Sequence, residues 1–144
     1  MDEDTFWQLI ADCTPPGPDT DHDAELLADI LTEQLARSPV DRVEGFAEQL
    51  SWALYRLDRR EYGRELSGDA FLYTRAAVVA AGRQVFERVL HDPGAFAPFA
   101  DGYVWAESLL YVPDRAYERV TGEEWTRDTR YSFESYSNLA GWAE

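Results

Sequence analysis

The chain contains no lysine, and all thirteen of its basic residues are arginines. Schiff-base chemistry on a lysine amine is therefore excluded, as is a P-loop, whose lysine holds phosphates. Cysteine is nearly absent as well, and the single Cys13 rules out an internal disulfide framework. Acids surround Cys13 and no histidine adjoins it, so it reads as a partly buried thiol at a helix end and not as a nucleophile. The two histidines, His22 and His91, lack the company of a zinc motif and fall at helix ends. With no nucleophile elbow and no glycine-rich phosphate loop, neither a cofactor nor a metal is expected. Runs of apolar residues stop well short of membrane-spanning length, and Met1-Asp2-Glu3-Asp4 is acidic where a secretory leader needs positive charge. The expectation is a cytoplasmic chain without membrane contact.

What is present is apolar and acidic. Of 144 residues, 45% are hydrophobic and 14% aromatic, enough for a packed core in one domain spanning the chain, with its body over about 1–122 and a tail over 123–144. The formal net charge is −15, so nucleic acid would be repelled. Residues 1–36 carry ten Asp or Glu and no Arg, whereas residues 37–144 carry eighteen acids against thirteen Arg. A basic protein partner would be steered to residues 1–36.

Apolar periodicity predicts an all-α fold of five or six helices. Phe6, Leu9 and Ile10 mark a first helix over Thr5 to Cys13, ended by Pro15-Pro16-Gly17-Pro18. Asp21 to Asp23 cap a second helix with Leu26, Leu27, Ile30, Leu31 and Leu35 on its apolar stripe. Ser38-Pro39 starts a third, carrying Val43, Phe46, Ala47, Leu50, Ala53, Leu54 and Leu57. A fourth, capped by Ser67 or Asp69, is expected from about Ala70 to His91. A fifth, from Tyr103 to Val112, is either kinked or restarted at Pro113 and ends at Gly122. From Trp125 onward no period is visible, and the tail adds at most a short strand or hairpin.

Three constellations carry possible chemistry. Asp19, Asp21 and Asp23 sit at the first, third and fifth positions of a calcium loop, but Ala24 and Ile30 occupy the sixth and twelfth, so the tract reads as an acidic first helical turn. Arg56, Arg59, Arg60 and Arg64 offer an anion-binding face, yet Asp58, Glu61 and Glu65 are threaded among them as on a solvated mixed-charge surface. In the fourth helix the stripe Phe71, Val78, Val85 and Val89 runs through Arg75 and Gly82, which aims Arg75 at the core. Glu107 stands in the same position on the fifth, among Tyr103, Leu110 and Tyr111. A buried Arg75–Glu107 pair solves both problems. It forms either a clamp between helices or a polar pocket in which Arg75 holds an anionic group and Tyr103, Glu107, Tyr111 and Tyr117 form the walls.

Several segments together resemble the bacterial family known as domain of unknown function 4240. They are Met1 to Trp7, Asp69-Ala70-Phe71 through Arg75, Gly82 to Glu87 with Leu90 to Pro93, Glu107 to Tyr111, Ala116-Tyr117-Glu118 and Thr121-Gly122. The resemblance covers most of residues 1–122. It implies no established activity; some members are labelled molybdenum metabolism regulators or are joined to WGR domains. Where relatives tend to show a Trp-Asp-Leu-Trp-like run and a Gly-Gly-Cys segment, this chain has Leu57-Asp58-Arg59-Arg60 and Arg64 to Gly68. The functional expectation is a non-catalytic protein-binding or regulatory module, with a small-molecule sensor or small enzyme built on the Arg75 pocket as the alternative.

Overall fold

A computed structural model describes residues 1–15, 20–126 and 128–143, with the side chains of 20–23 left aside. The chain forms a single all-α domain, and no strand occurs among the described residues. Helix α1 spans Glu3–Cys13, with Asp2 as its cap, accepting from the Thr5 amide at 2.7 Å. Helix α2 follows over Thr20–Ala36. The proline-rich stop at 16–18 and the side chains of Asp21 to Asp23, including most of the calcium-like tract, lie outside the described residues. The acidic first 36 residues are not an appendage. Phe6, Trp7, Ile10, Leu27, Leu31 and Leu35 are all buried in the core. Helix α3 covers Val40–Arg56; Pro39, expected as its first residue behind a Ser38 cap, is instead the cap position, one residue later than the sequence suggests. A one-turn α4, Arg60–Gly63, leads to α5, Gly68–Ala80, where Ser67 caps through the Ala70 amide.

Helix α5 is the centre of the fold. Phe71, Leu72 and every residue from Thr74 to Val79 are buried, so it is enclosed on all faces. The single helix expected from Ala70 to His91 is in fact two, because the chain turns at Gly82 and restarts as α6, Arg83–His91. Gly82 has φ +103°, a conformation that side chains disfavour, although a Cβ there would meet nothing within 4 Å. The backbone, not crowding, requires the glycine. On the separate axis of α6, Phe86 and Val89 are buried while Val85 is only partly so.

The segment expected as a loop after Pro93 forms a 3₁₀ turn, Pro93–Phe96, and a short α7, Ala97–Asp101. The helix expected over Tyr103–Val112 is absent. Residues 103–106 are non-helical, Glu107–Tyr111 is a 3₁₀ turn, and helix α8 runs Val112–Thr121 with Pro113 in its first turn, where its missing N–H costs nothing. Gly122 closes α8 at φ +74°. No strand or hairpin is seen in the described part of the tail, which winds back across the body and ends in α9, Leu139–Trp142. Trp125 packs on Tyr117, Tyr131 on Trp52 and Tyr55, and Trp142 on Phe71. Among the described residues, no helix is long and apolar enough to cross a membrane.

Candidate functional site

Arg75 is fully buried, as its position among apolar neighbours on α5 predicts. Its partner is not Glu107. Arg75 Nη1 donates to the Leu54 carbonyl at 2.9 Å and Nη2 to Ser135 Oγ at 3.0 Å, while the guanidinium carbon lies 4.5 Å from the centre of the Phe71 ring. Burial pulls the guanidinium down to about 10, against the opposing pull of Asp58, Glu134 and Tyr136, so Arg75 keeps its charge at neutral pH. The Ser135 hydroxyl in turn donates to the Gly68 carbonyl at 2.7 Å, tying the tail to the start of α5.

The buried carboxylate that accompanies Arg75 is Asp58, just after α3. Its Oδ1 accepts from the Tyr136 amide at 2.9 Å and from Trp142 Nε1 at 2.8 Å. Its Oδ2 accepts from the amides of Ser137 at 2.7 Å and Asn138 at 2.8 Å. Three successive N–H groups converge on one carboxylate because Tyr136 turns the chain at φ +72°. Sequence reasoning passed over Asp58 as one acid in a mixed-charge run. The signal was the four-residue spacing Leu50, Leu54, Asp58, which continues the buried stripe of α3 into the carboxylate.

Glu107 is exposed, because a 3₁₀ turn preceded by non-helical backbone leaves it at the surface beside Tyr73 and does not turn it inward to Arg75 as an α-helical register would. The Tyr111 hydroxyl donates to Glu107 Oε1 at 2.8 Å, and this bond, with partial burial, pushes the phenol up to about 12. Desolvation and then the same carboxylate raise the Tyr73 phenol as well. The Ala106 amide bonds the Tyr73 carbonyl at 3.1 Å, and the Trp105 ring meets Tyr73 edge-on at 5.5 Å. Tyr103 is 74% exposed, Tyr111 47% and Trp105 44%. Of the five residues singled out from the sequence, Tyr103, Glu107 and Tyr111 therefore lie at or near one surface segment. Tyr117 packs against Trp125 on α8, and Arg75 is enclosed in the core.

Trp105 also walls an apolar cavity of about 180 Å³, together with Thr14 and Pro15 just after α1, Ala24 and Leu27 from α2, Ala77, Ala80 and Ala81 at the end of α5, and Phe99 and Val104. The Cys13 thiol, at the last position of α1, is buried, and burial pushes it above its usual range. No group of three or more metal-ligating side chains occurs among the described residues.

No curated protein and no solved structure is significantly similar to this chain. A family model matches residues 1–119, which include Asp58, Arg75 and Glu107 but not the tail residues that bind the first two. The chain belongs to the family described as protein of unknown function DUF4240.

Proposed function

We propose that this domain is a non-catalytic recognition module whose partner is a basic protein segment carrying an apolar anchor. The observation that carries this reading is the double role of Trp105: its half-exposed ring walls an apolar cavity and rests on the partly buried Tyr73, close to the Glu107–Tyr111 pair. Trp and Tyr beside a pocket are the composition of binding hot spots, and a half-exposed Trp held against a neighbouring ring loses little freedom on binding. A cavity of about 180 Å³ takes one aliphatic side chain or a single ring. Glu107 and the acids of residues 1–36, a segment that also supplies Thr14, Pro15, Ala24 and Leu27 to the cavity wall, favour Lys or Arg beside that anchor.

The test is selection of displayed peptides on the intact domain, with counter-selection on Ala80→Arg, which fills the cavity with charge. The expected winners carry an aliphatic or aromatic residue flanked by Lys or Arg, and Trp105→Ala weakens them about tenfold or more. Their affinity falls with added salt. Winners that bind Ala80→Arg and Trp105→Ala as well as they bind the native chain would overturn the reading.

A further inference from the structure

A second site lies in a groove of about 520 Å³ where the end of α3 meets α4, Leu90, Pro93 and the tail. Arg56 and Arg59, two members of the arginine run, line it with Trp52, Tyr55, Tyr62, Glu61 and Asn138, while Arg64 lines a neighbouring cavity. The groove lining thus holds two guanidinium groups against one carboxylate, in a chain whose net charge is −15. The Trp52 and Tyr55 rings are 6.2 Å apart and 22° from parallel. Arg56 is held between rings, its guanidinium carbon 4.9 Å from the centres of both Trp52 and Phe86.

The acids in contact with these arginines leave them under-satisfied. Glu3 Oε1 is 3.2 Å from Arg56 Nη2, and Glu61 Oε1 is 2.6 Å from Arg59 Nε. Each bond engages one of about five donors on its guanidinium. Arg56 Nε is buried with no acceptor among the described residues. A guanidinium stacked on an indole is orientated for bidentate bonding to a carboxylate or phosphate, and Trp52 and Tyr55, on which Tyr131 also packs, give the groove an aromatic wall beside it.

We propose that this groove binds a flat-ringed organic anion, its ring against the Trp52–Tyr55 wall and its carboxylate or phosphate on Arg56 and Arg59. This inference does not rest on the Trp105 surface. Asn138 closes one side of the groove, with Nδ2 on the Tyr55 carbonyl at 3.3 Å, and it is there because Asp58 holds the Asn138 amide. Occupancy of the groove and docking of the tail are therefore linked, and a bound anion slows hydrogen exchange at Tyr136 to Asn138.

The experiment is an NMR and calorimetric titration of the full chain with two probes, adenosine monophosphate and indole-3-acetate, and with adenosine and inorganic phosphate as controls. We expect at least one of the two ring anions to saturate with a Kd of about 1 mM or tighter and to shift the Trp52 indole resonance. The better probe identifies phosphate or carboxylate as the preferred head group. Arg59→Gln and Trp52→Leu should each weaken it about tenfold. Trp52 also packs on Tyr131, so its variant is checked by thermal melting; Arg59 is an exposed side chain, and its variant decides the outcome if Trp52→Leu does not fold. The proposal is overturned if neither anion saturates by about 10 mM, if Arg59→Gln binds like the native chain, or if a control binds equally well.

Discussion

In the body, α5 is held by close packing of Phe71, Leu72 and the run from Ala76 to Val79, whereas the tail beyond Gly122 adds to its ring contacts four hydrogen bonds to Asp58 and one to Arg75. The first kind of attachment is non-directional and tolerates changes of shape that conserve volume. The second depends on a few atoms in fixed places, and its sockets are buried charges that are costly unless the tail fills them. Asp58 and Arg75 lie inside the family-matched segment, whereas the four donors to Asp58 and the Ser135 hydroxyl that meets Arg75 lie outside it, so in this chain body and tail complete each other.

The largest break in this arrangement is Asp58→Ala. It strands three backbone amides and an indole N–H and leaves Arg75 without its principal counter-charge, for an expected loss of about 3 to 5 kcal/mol in urea unfolding. Arg75→Met comes next, at about 2 kcal/mol, because it removes the bonds to Leu54 and Ser135 while keeping apolar volume against Phe71. Combined with Asp58→Asn it should cost less than the sum of the two, since the two buried charges compensate each other; combined with Glu107→Gln it should add. Additivity in the first pair together with coupling in the second would restore the Arg75–Glu107 clamp.

Within the body, Gly82→Ala should cost about 1 kcal/mol in the same assay, since φ +103° strains any side chain even in open space. The smallest effect concerns Tyr111. Its folded pKa is raised, so the protonated phenol favours the fold: the contribution is complete below the ordinary tyrosine range and is lost as pH climbs through about 12. Ultraviolet titration should find several late phenols, Tyr62 and Tyr73 among them, of which one disappears in Tyr111→Phe and shifts down in Glu107→Gln.

The helical body was legible because burial there follows the period of the helix: α1, α2 and α3 lie where Phe6, Leu31 and Leu50 place them. Two breaks escaped that reading for one reason. A spacing of three and four residues can run on through a glycine, as at Gly82, or through a 3₁₀ turn, as at Glu107, after the axis itself has changed. The sequence shows Arg75 as buried because it interrupts an apolar stripe; it does not show its partners, because a backbone carbonyl and a serine hydroxyl in an aperiodic tail leave no mark in a helical pattern. The tail was opaque for the same reason. Much of its anchoring uses backbone N–H groups gathered by the turn at Tyr136, and the side chains that join them, among them Ser135, Asn138 and Trp142, follow no helical period. The groove between Arg56 and Arg59 emerges only once that tail is docked, since Asn138 forms part of its wall.

Hydrogen exchange on Asp58→Asn, which keeps the size of the side chain and removes its charge, tests the dependence of the tail on this single carboxylate most directly. The amides of Tyr136, Ser137 and Asn138 and the indole N–H of Trp142 should lose protection together, while amides in α2 and α8, which pack on each other away from Asp58, stay protected. Unchanged protection at all four tail positions in a folded variant would contradict the account.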